Sequence, residues 1–354
     1  MKRAPATLFA CVLFAALSPA ARGQISKVRV GSCAKTISSG QAPFAIATKM
    51  GWYKEEGIEV TLVPLAGSSD CVKSVAAKEI PFAVAAVEAH AAAVLQGVKI
   101  KTFYTAYQGN IFRLAVPADS SIQRISDLRG KTIGVISMGG GVLFAKALIA
   151  MAGMDPEKDV KIVVAGEGAQ TAALVRKKQV DALSQFDTQL AMVENAGIKL
   201  RILEAKEIDR FPGNGFLALD ETLKTHRKDA VAIARGYAKG TIFAINNPEA
   251  TVRILYEVFP QVKPTGKDEA TAVSDDIKVL QARIPNWQLE KGGVKRWGES
   301  SETNYGEYLE FLLKWGVLTA KVRPLDVVTN DLIGEINNFD AAKIAAEAKS
   351  YKYK

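Results

Sequence analysis

The 354-residue chain carries 46 Lys and Arg against 37 Asp and Glu, a formal charge of +9, and 48% of it is hydrophobic. The basic surplus is spread along the chain: Lys177-Lys178 and the Lys and Arg of the last hundred residues have no interleaved aromatics and no glycine-rich arm, so a nucleic-acid footprint is excluded. Two domains are expected at this length, each with apolar residues enough for its own core.

Lys2 and Arg3 precede an apolar run from Leu8 to Leu17, followed by the small residues Ser18 to Gly23. This is the pattern of an export signal over residues 1–23, with cleavage after Ala21 or Gly23. The run is too short to span a bilayer, and no apolar stretch of about 18 residues follows it. The mature chain is therefore expected to be exported and soluble, with Lys and Arg reduced to 43 against 37 acids and a net charge of +6.

From Val28 onward the chain repeats itself. Val75–Ile80 lines up with Val175–Val180 and, without a gap, Gly97–Lys101 with Gly197–Arg201, at a spacing of 100 residues; Val28–Ser32 sits over Ile133–Ser137 at 105. The first copy predicts strands at Val28–Gly31, Val60–Val63, Phe82–Ala85 and Ile100–Ala106, with helices at Ala42–Met50, Ser69–Lys78 and Ala89–Gln96. The second predicts strands at Ile133–Ile136, Val160–Val164, Val180–Leu183 and Leu200–Leu203, with helices at Val142–Met151, Ala169–Lys177 and Thr188–Ala196. Strands alternating with helices imply two α/β lobes, each a parallel sheet with crossover helices. Two copies cannot form a solenoid, but they can face each other across a groove, where small ligands usually bind.

Ala106–Gly109 leads out of the first lobe and Asn214–Leu219 leads back, two crossings that suit a hinge. The expected division is residues 24–107 with 220–354 as lobe 1, and 108–219 as lobe 2. After Leu219 helical periodicity dominates, at Lys224–Asn246, Pro248–Phe259, Lys267–Ile284 and Ser300–Trp315. This third is expected to pack mainly on the first lobe, with Trp287, Trp297 and Trp315 as packing anchors and the Ala- and Lys-rich tail from Asp340 as one more helix.

Ligands of open parallel sheets bind beyond the carboxyl ends of the strands. That rule selects Ser32, Cys33, Lys35, Thr36, Ser68, Ser69 and Glu88 in the first copy, and Ser137, Met138, Phe186 and Asp187 in the second. Phe44, Tyr107, Phe186 and Phe216 are candidates for flat apolar walls, and Asn214 sits at the return crossing. Gly139-Gly140-Gly141 opens a helix, leaving backbone amides bare toward the groove, a favourable setting for an electronegative ligand group. Several of these residues have a structural alternative. Ser68, Ser69 and Asp70 can cap a helix, the aromatics can be core, and Glu88 and Asp187 can pair with Lys35. Cys33 and Cys71, the cysteines left after the leader, permit a disulfide, with two free thiols as the alternative.

Gly51–Val60 after the first helix, Asp127–Val135 opening the second copy, and Gln179-Val-Asp-Ala182 together resemble the nitrate/sulfonate/taurine (SsuA-like, THI5-like) solute-binding proteins of ABC transporters. The resemblance spans Val28 to about Ile333. It implies a type II periplasmic-binding-protein fold that closes on a small-molecule solute as a monomer in the periplasm and passes it to ABC permease subunits. No arginine stands in the strand-end loops to fork onto a sulfonate or nitrate, so the expected solute is a small organic molecule with a planar or apolar body and polar ends. Relatives of the fold include a yeast-type pyrimidine synthase, and presentation of a loaded lobe to a membrane sensor would have the same sequence features. Neither His90 nor His226 neighbours a candidate nucleophile, the synthase's cysteine-rich stretch is missing, and no residues have metal-ligand spacing. No catalytic residue, metal or cofactor is therefore expected.

Overall fold

A computed structural model describes residues 25–137 and 140–353; the expected leader over 1–23, Met138 and Gly139 lie outside it. The described chain forms two five-stranded sheets with helices on their faces. In the first sheet the strands are β1 (Ser26–Ser32), β2 (Ile58–Pro64), β3 (Phe82–Ala85), β4 (Ile100–Thr105) and, arriving last, β10 (Gly215–Leu219). The second holds β5 (Phe112–Pro117), β6 (Thr132–Val135), β7 (Lys161–Val164), β8 (Ala182–Phe186) and β9 (Leu200–Ile202). Their spatial orders, β2-β1-β3-β10-β4 and β7-β6-β8-β5-β9, are one plan used twice.

Neither sheet is purely parallel, which corrects the expectation. β10 runs antiparallel between β3 and β4, and β5 antiparallel between β8 and β9. Each inserted strand is the one that has just crossed from the other lobe, and it enters its sheet pointing the opposite way. Gly215–Leu219, expected within the return crossing, is thus already part of the first sheet and wholly buried there. Phe112–Pro117, outside the elements expected from periodicity, is also a strand.

The 100-residue spacing extends to helix ends. α3 (Ser68–Ala76) and α6 (Gly168–Arg176) are offset by that amount, as are α4 (Val87–Leu95) and α7 (Asp187–Asn195). Lys78 and Lys178 are the non-glycine residues of the described chain with positive φ, at 60° and 55°, each just past the end of its helix, where a left-handed residue ends the last turn. The first strands match at a different offset. Val30 pairs with Leu62 and Phe82, while Ile133 pairs with Ile162 and Ala182, so β1 and β6 correspond at 103 residues rather than 105. Gly31 and Gly134 then coincide, for a shared reason. A Cβ on Gly31 would lie 2.8 Å from Ile80 Cδ1, and one on Gly134 would lie 2.8 Å from Ala165 Cβ, so each strand passes too close to its neighbours for a side chain.

Beyond β10 the chain is helical. α9 (Arg227–Asn246) and α10 (Pro248–Val258) pack on α1 (Ala42–Lys49), with Gly240 pressed against the Pro43 backbone and Gly236 against the Tyr53 ring. The C-terminal helix α16 (Ala341–Ser350) lies along α9. Trp287 is buried in the main core, and Trp297 and Trp315 pack on it half-buried. One helix departs from the expected packing on the first lobe: α11 (Glu269–Trp287) lies against α10 but also against α7 of the second lobe. There Asn195 Nδ2 donates to Asp275 O at 2.8 Å, while Ser39 Oγ of the first lobe donates to Asp276 O at 3.3 Å. The helix thus straps the two lobes together.

Candidate functional site

The chain leaves the first sheet through Ala106–Asn110 and returns through Gly213–Asn214, and the two crossings are hydrogen-bonded to each other. Ala106 N and Tyr107 N both donate to Asn214 O at 3.1 Å, and Gly213 N donates to Tyr107 O at 2.9 Å. α11 holds the outgoing crossing from the side, with Gln108 N donating to Asn286 O at 2.7 Å. Beside this paired connection the carboxyl ends of β1 and β3 face those of β6 and β8 across a narrow cleft.

The cleft has two adjoining compartments that share Cys33, Phe186 and Asn214. One is walled by Ser32, Phe44, Tyr107, Ile111, Thr188 and Arg283; the other by Ser68, Phe112, Ser137, Gly140 and Ser184. Both lobes therefore contribute to each. They also touch at the rim. The Thr36 hydroxyl donates to the Glu167 carboxylate, and a Cβ on Gly67 would sit 2.7 Å from Ser137 Oγ. The start of α4 meets α5 (Gly140–Met151), where a Cβ on Gly140 would lie 3.3 Å from both Ala86 Cβ and the Phe112 ring. This is a closed arrangement, and the small residues at the head of α5 are what let the lobes approach so closely.

Eight of the sequence candidates line the cleft: Ser32, Cys33, Phe44, Ser68, Tyr107, Ser137, Phe186 and Asn214, joined by Gly140 from the glycine run. Ser32 and Ser137 are not structural equivalents, because the 103-residue offset sets Ser32 over Val135 and Ala34 over Ser137. Ser68 does not cap its own helix through its side chain; its hydroxyl accepts from Ala86 N at 3.0 Å, tying α3 to the start of α4. Cys33 and Cys71 are joined in a disulfide that ties the loop after β1 to α3.

The remaining candidates lie elsewhere. Lys35 and Thr36 are exposed at the rim, and Ser69 is outside the lining. Phe216 is fully buried in an aromatic cluster with Phe44, Phe103, Tyr104 and Tyr237, so it supports Phe44 from behind. Glu88 is buried at the head of α4, with Oε1 unpartnered, and burial raises its carboxyl to about 7. Its neighbour His90 is a packed residue, with Nε2 3.1 Å from Val327 O and burial lowering the imidazole to about 4.

Asp187 meets a partner that was not expected. Arg283, from α11, sets Nε 2.9 Å from both carboxylate oxygens and Nη2 2.6 Å from Oδ1, while Asn286 Nδ2 donates to Oδ2 at 2.8 Å. Thr188 N donates to Oδ1 at 2.6 Å. The guanidinium stacks on Tyr107, 4.0 Å from the ring centre, and its side chain is 3% exposed. Burial pulls Arg283 down most strongly, but the Asp187 charge and hydrogen bonds together with Tyr107 and Tyr237 outweigh it and hold the guanidinium raised. An arginine therefore does reach the cleft, from a distant helix. Lone Arg283 among Leu280, Ile284 and Trp287 was the available signal, since a charge on an apolar helix face needs a partner.

Ser32 Oγ and Asn214 Oδ1, both buried, have no hydrogen-bond partner among the described residues. Of the buried side-chain atoms without a partner among the described residues, these two belong to residues that line the cleft, where a ligand's polar atoms would satisfy them. The aromatic walls of Phe44, Tyr107 and Phe186 suit a flat body between them.

Comparison with known proteins agrees with this fold. A riboflavin-binding protein, RibY, of Chloroflexus aurantiacus is 25% identical over 296 residues, covering 82% of each chain. A 4-amino-5-hydroxymethyl-2-methylpyrimidine phosphate synthase of Legionella pneumophila is 24% identical over 233 residues, 62% of this chain and 70% of that one. Among solved structures, the alkanesulfonate-binding protein SsuA of Xanthomonas axonopodis bound to MOPS superposes with a TM-score of 0.64 at 13% identity, over 87% of this chain and 99% of its own. That likeness identifies the fold as the one used by periplasmic binding proteins. The family model described as NMT1/THI5 like matches residues 38–251, more than half of the sequence, and the chain belongs to that family.

Proposed function

We propose that the protein is the solute-binding component of an ABC importer, capturing a small organic molecule between its lobes and delivering it to permease subunits. The observation that carries this reading is the cleft itself: it is walled by both lobes and holds two orphaned buried polar atoms between aromatic faces. A solute there touches both lobes at once, so it binds the closed form better than the open one and shifts the population toward closure. The paired crossings at Tyr107 and Asn214 are the natural hinge. Periplasmic location is supported by the basic and apolar N-terminal pattern and by the export of related binding proteins.

Similarity to the Legionella synthase keeps catalysis as the competing reading. Against it, Cys33 is held in a disulfide and is no nucleophile, and His90 is buried on α4 against Val327. Native mass spectrometry of protein purified without denaturation tests the proposal, with scattering before and after ligand removal. A retained small molecule and a more compact loaded form are expected. The absence of both a retained molecule and any hit in a thermal-shift screen of sulfonates, pyrimidines, flavins and aromatic amides would sink it.

A further inference from the structure

Arg283 is the one charged residue in the lining of either compartment among the described residues, and its charge is already matched. Its Nε and Nη2 face Asp187, which is itself outside the lining, and Asn286 and the Thr188 amide complete the hydrogen bonds on that carboxylate. Nη1 has no hydrogen-bond partner among the described residues, and 3.6 Å separates it from where a Cβ on Gly40 would stand in the cleft wall. The other polar groups of the lining are neutral: Ser, Thr, Gln and Asn. Lys35, which could have supplied a second positive charge, is exposed at the rim.

We propose that Asp187 acts as a built-in counter-anion that reserves Arg283, so that the cleft selects uncharged ligands bearing a flat ring with adjacent hydrogen-bond donor and acceptor atoms. This deepens the solute-binding reading and rests on it. An anionic group entering the cleft meets a guanidinium whose charge is cancelled within hydrogen-bond distance, while losing its own hydration. A neutral carbonyl or ring nitrogen loses far less and can still accept the free Nη1–H. Asn214 Nδ2 lies 3.5 Å from Val84 O, which turns Oδ1 toward the cleft as an acceptor for a ligand N–H. Ser32 Oγ can serve as donor or acceptor. The set matches the edge of a lactam or amide-bearing heterocycle. Because the ion pair joins α11 to α7, it also supplies between the lobes the charge contact that an anionic ligand would otherwise bring.

The test reads a change in charge preference, so the wild type need not bind the probes tightly. Benzoate, benzamide and benzamidine share a ring and differ in charge; each is titrated calorimetrically, at matched ionic strength, into the wild type, Asp187→Asn, Arg283→Gln and the double variant. The wild type should rank benzamide first. D187N should gain benzoate affinity about tenfold or more, the effect of one uncompensated charge-assisted hydrogen bond. R283Q should shift toward benzamidine, and the double variant should return to benzamide. If the unpaired guanidinium keeps D187N from folding, R283Q and the wild-type ranking still decide. A wild type that prefers benzoate, or single variants with unchanged preference, overturns the assignment. An anionic molecule retained in native mass spectrometry would do the same while leaving the solute-binding reading intact.

Discussion

The two lobes share a strand order and a 100-residue helix spacing, yet they use the same position of the helix after their second strand to anchor it to different neighbours. In the first lobe the loop after β1 is bonded covalently to α3 through Cys33 and Cys71. By register and helix offset, the second lobe has Ile136 and Thr171 in those places. Thr171 Oγ1 donates to Gly166 O at 2.9 Å and accepts from Gln185 Nε2 at 3.3 Å, which holds α6 to the loop that leads into it and to β8. A similar contrast holds one helix later, where Glu88 and His90 of α4 are buried ionisable groups and their counterparts in α7, Thr188 and Leu190, do not titrate. The fold fixes where the helix stands but not what anchors it, so the first lobe carries a redox-sensitive tie and two buried titrating groups that its twin lacks at the matching positions.

The covalent difference should be the largest to measure. Opening a loop of 38 residues by C33S/C71S should lower stability by about 4 kcal/mol in the chain-entropy model, read from urea unfolding. T171V in the second lobe should cost about 1–2 kcal/mol, the penalty of leaving its partners unsatisfied. Equal losses at the two sites would break the comparison.

The ionisable pair gives a subtler signature. Glu88 is raised to about 7 from 4.5, so its folded form holds a proton the unfolded chain releases, and stability falls as pH rises from about 4.5 to 7. His90 is lowered to about 4 from 6.5, so stability rises as pH climbs through the window from about 4 to 6.5. Each effect reaches about 3 kcal/mol at most. In the wild type the two slopes oppose each other and should nearly cancel near pH 5 to 6. E88Q should unmask a rise of stability with pH there and be more stable than the wild type at pH 8; H90Q should unmask a fall. Parallel profiles for all three proteins would sink this account.

The smallest effect is expected where the copies agree. Lys78 and Lys178 hold the same left-handed backbone, so K78G and K178G should each raise stability by about 0.5–1 kcal/mol, and by similar amounts. A gain at one site alone would show that the two turns are not equivalent.

The lobes were legible because the repeat is written in turn residues as well as apolar ones. Gly97 and Gly197, both at φ 88°, and the two lysines fix where each helix stops, so most elements follow from spacing. Phe112–Pro117 was not legible, because an inserted strand precedes its own copy and its counterpart by register, β10, lies 102 residues later, after the second copy rather than within the first. The first-strand register was misplaced by two residues because Ser32 and Ser137 look alike, whereas the hydrogen bonds follow the close-packed Gly31 and Gly134. In the cleft, residues at strand ends were found by the general rule for open sheets. Arg283 escaped that rule because it stands 96 residues from Asp187 on a helix of another region, and nothing local encodes such a meeting.

The inserted strands also set an order of assembly. β9 finds its ladder partner β5 earlier in the chain, so the second sheet can complete itself as soon as its last strand exists. Among the described residues β4 forms its ladder with β10 alone, more than a hundred residues downstream, apart from single bridges from Thr102 to Val328 and Thr105 to Gly298 that come later still, so it must wait for the whole second lobe to be made before its edge is closed. The later lobe in sequence is thus free to mature first, while the earlier one remains an unfinished sheet with an exposed seam, open to a chaperone or to another chain until the return strand slots in.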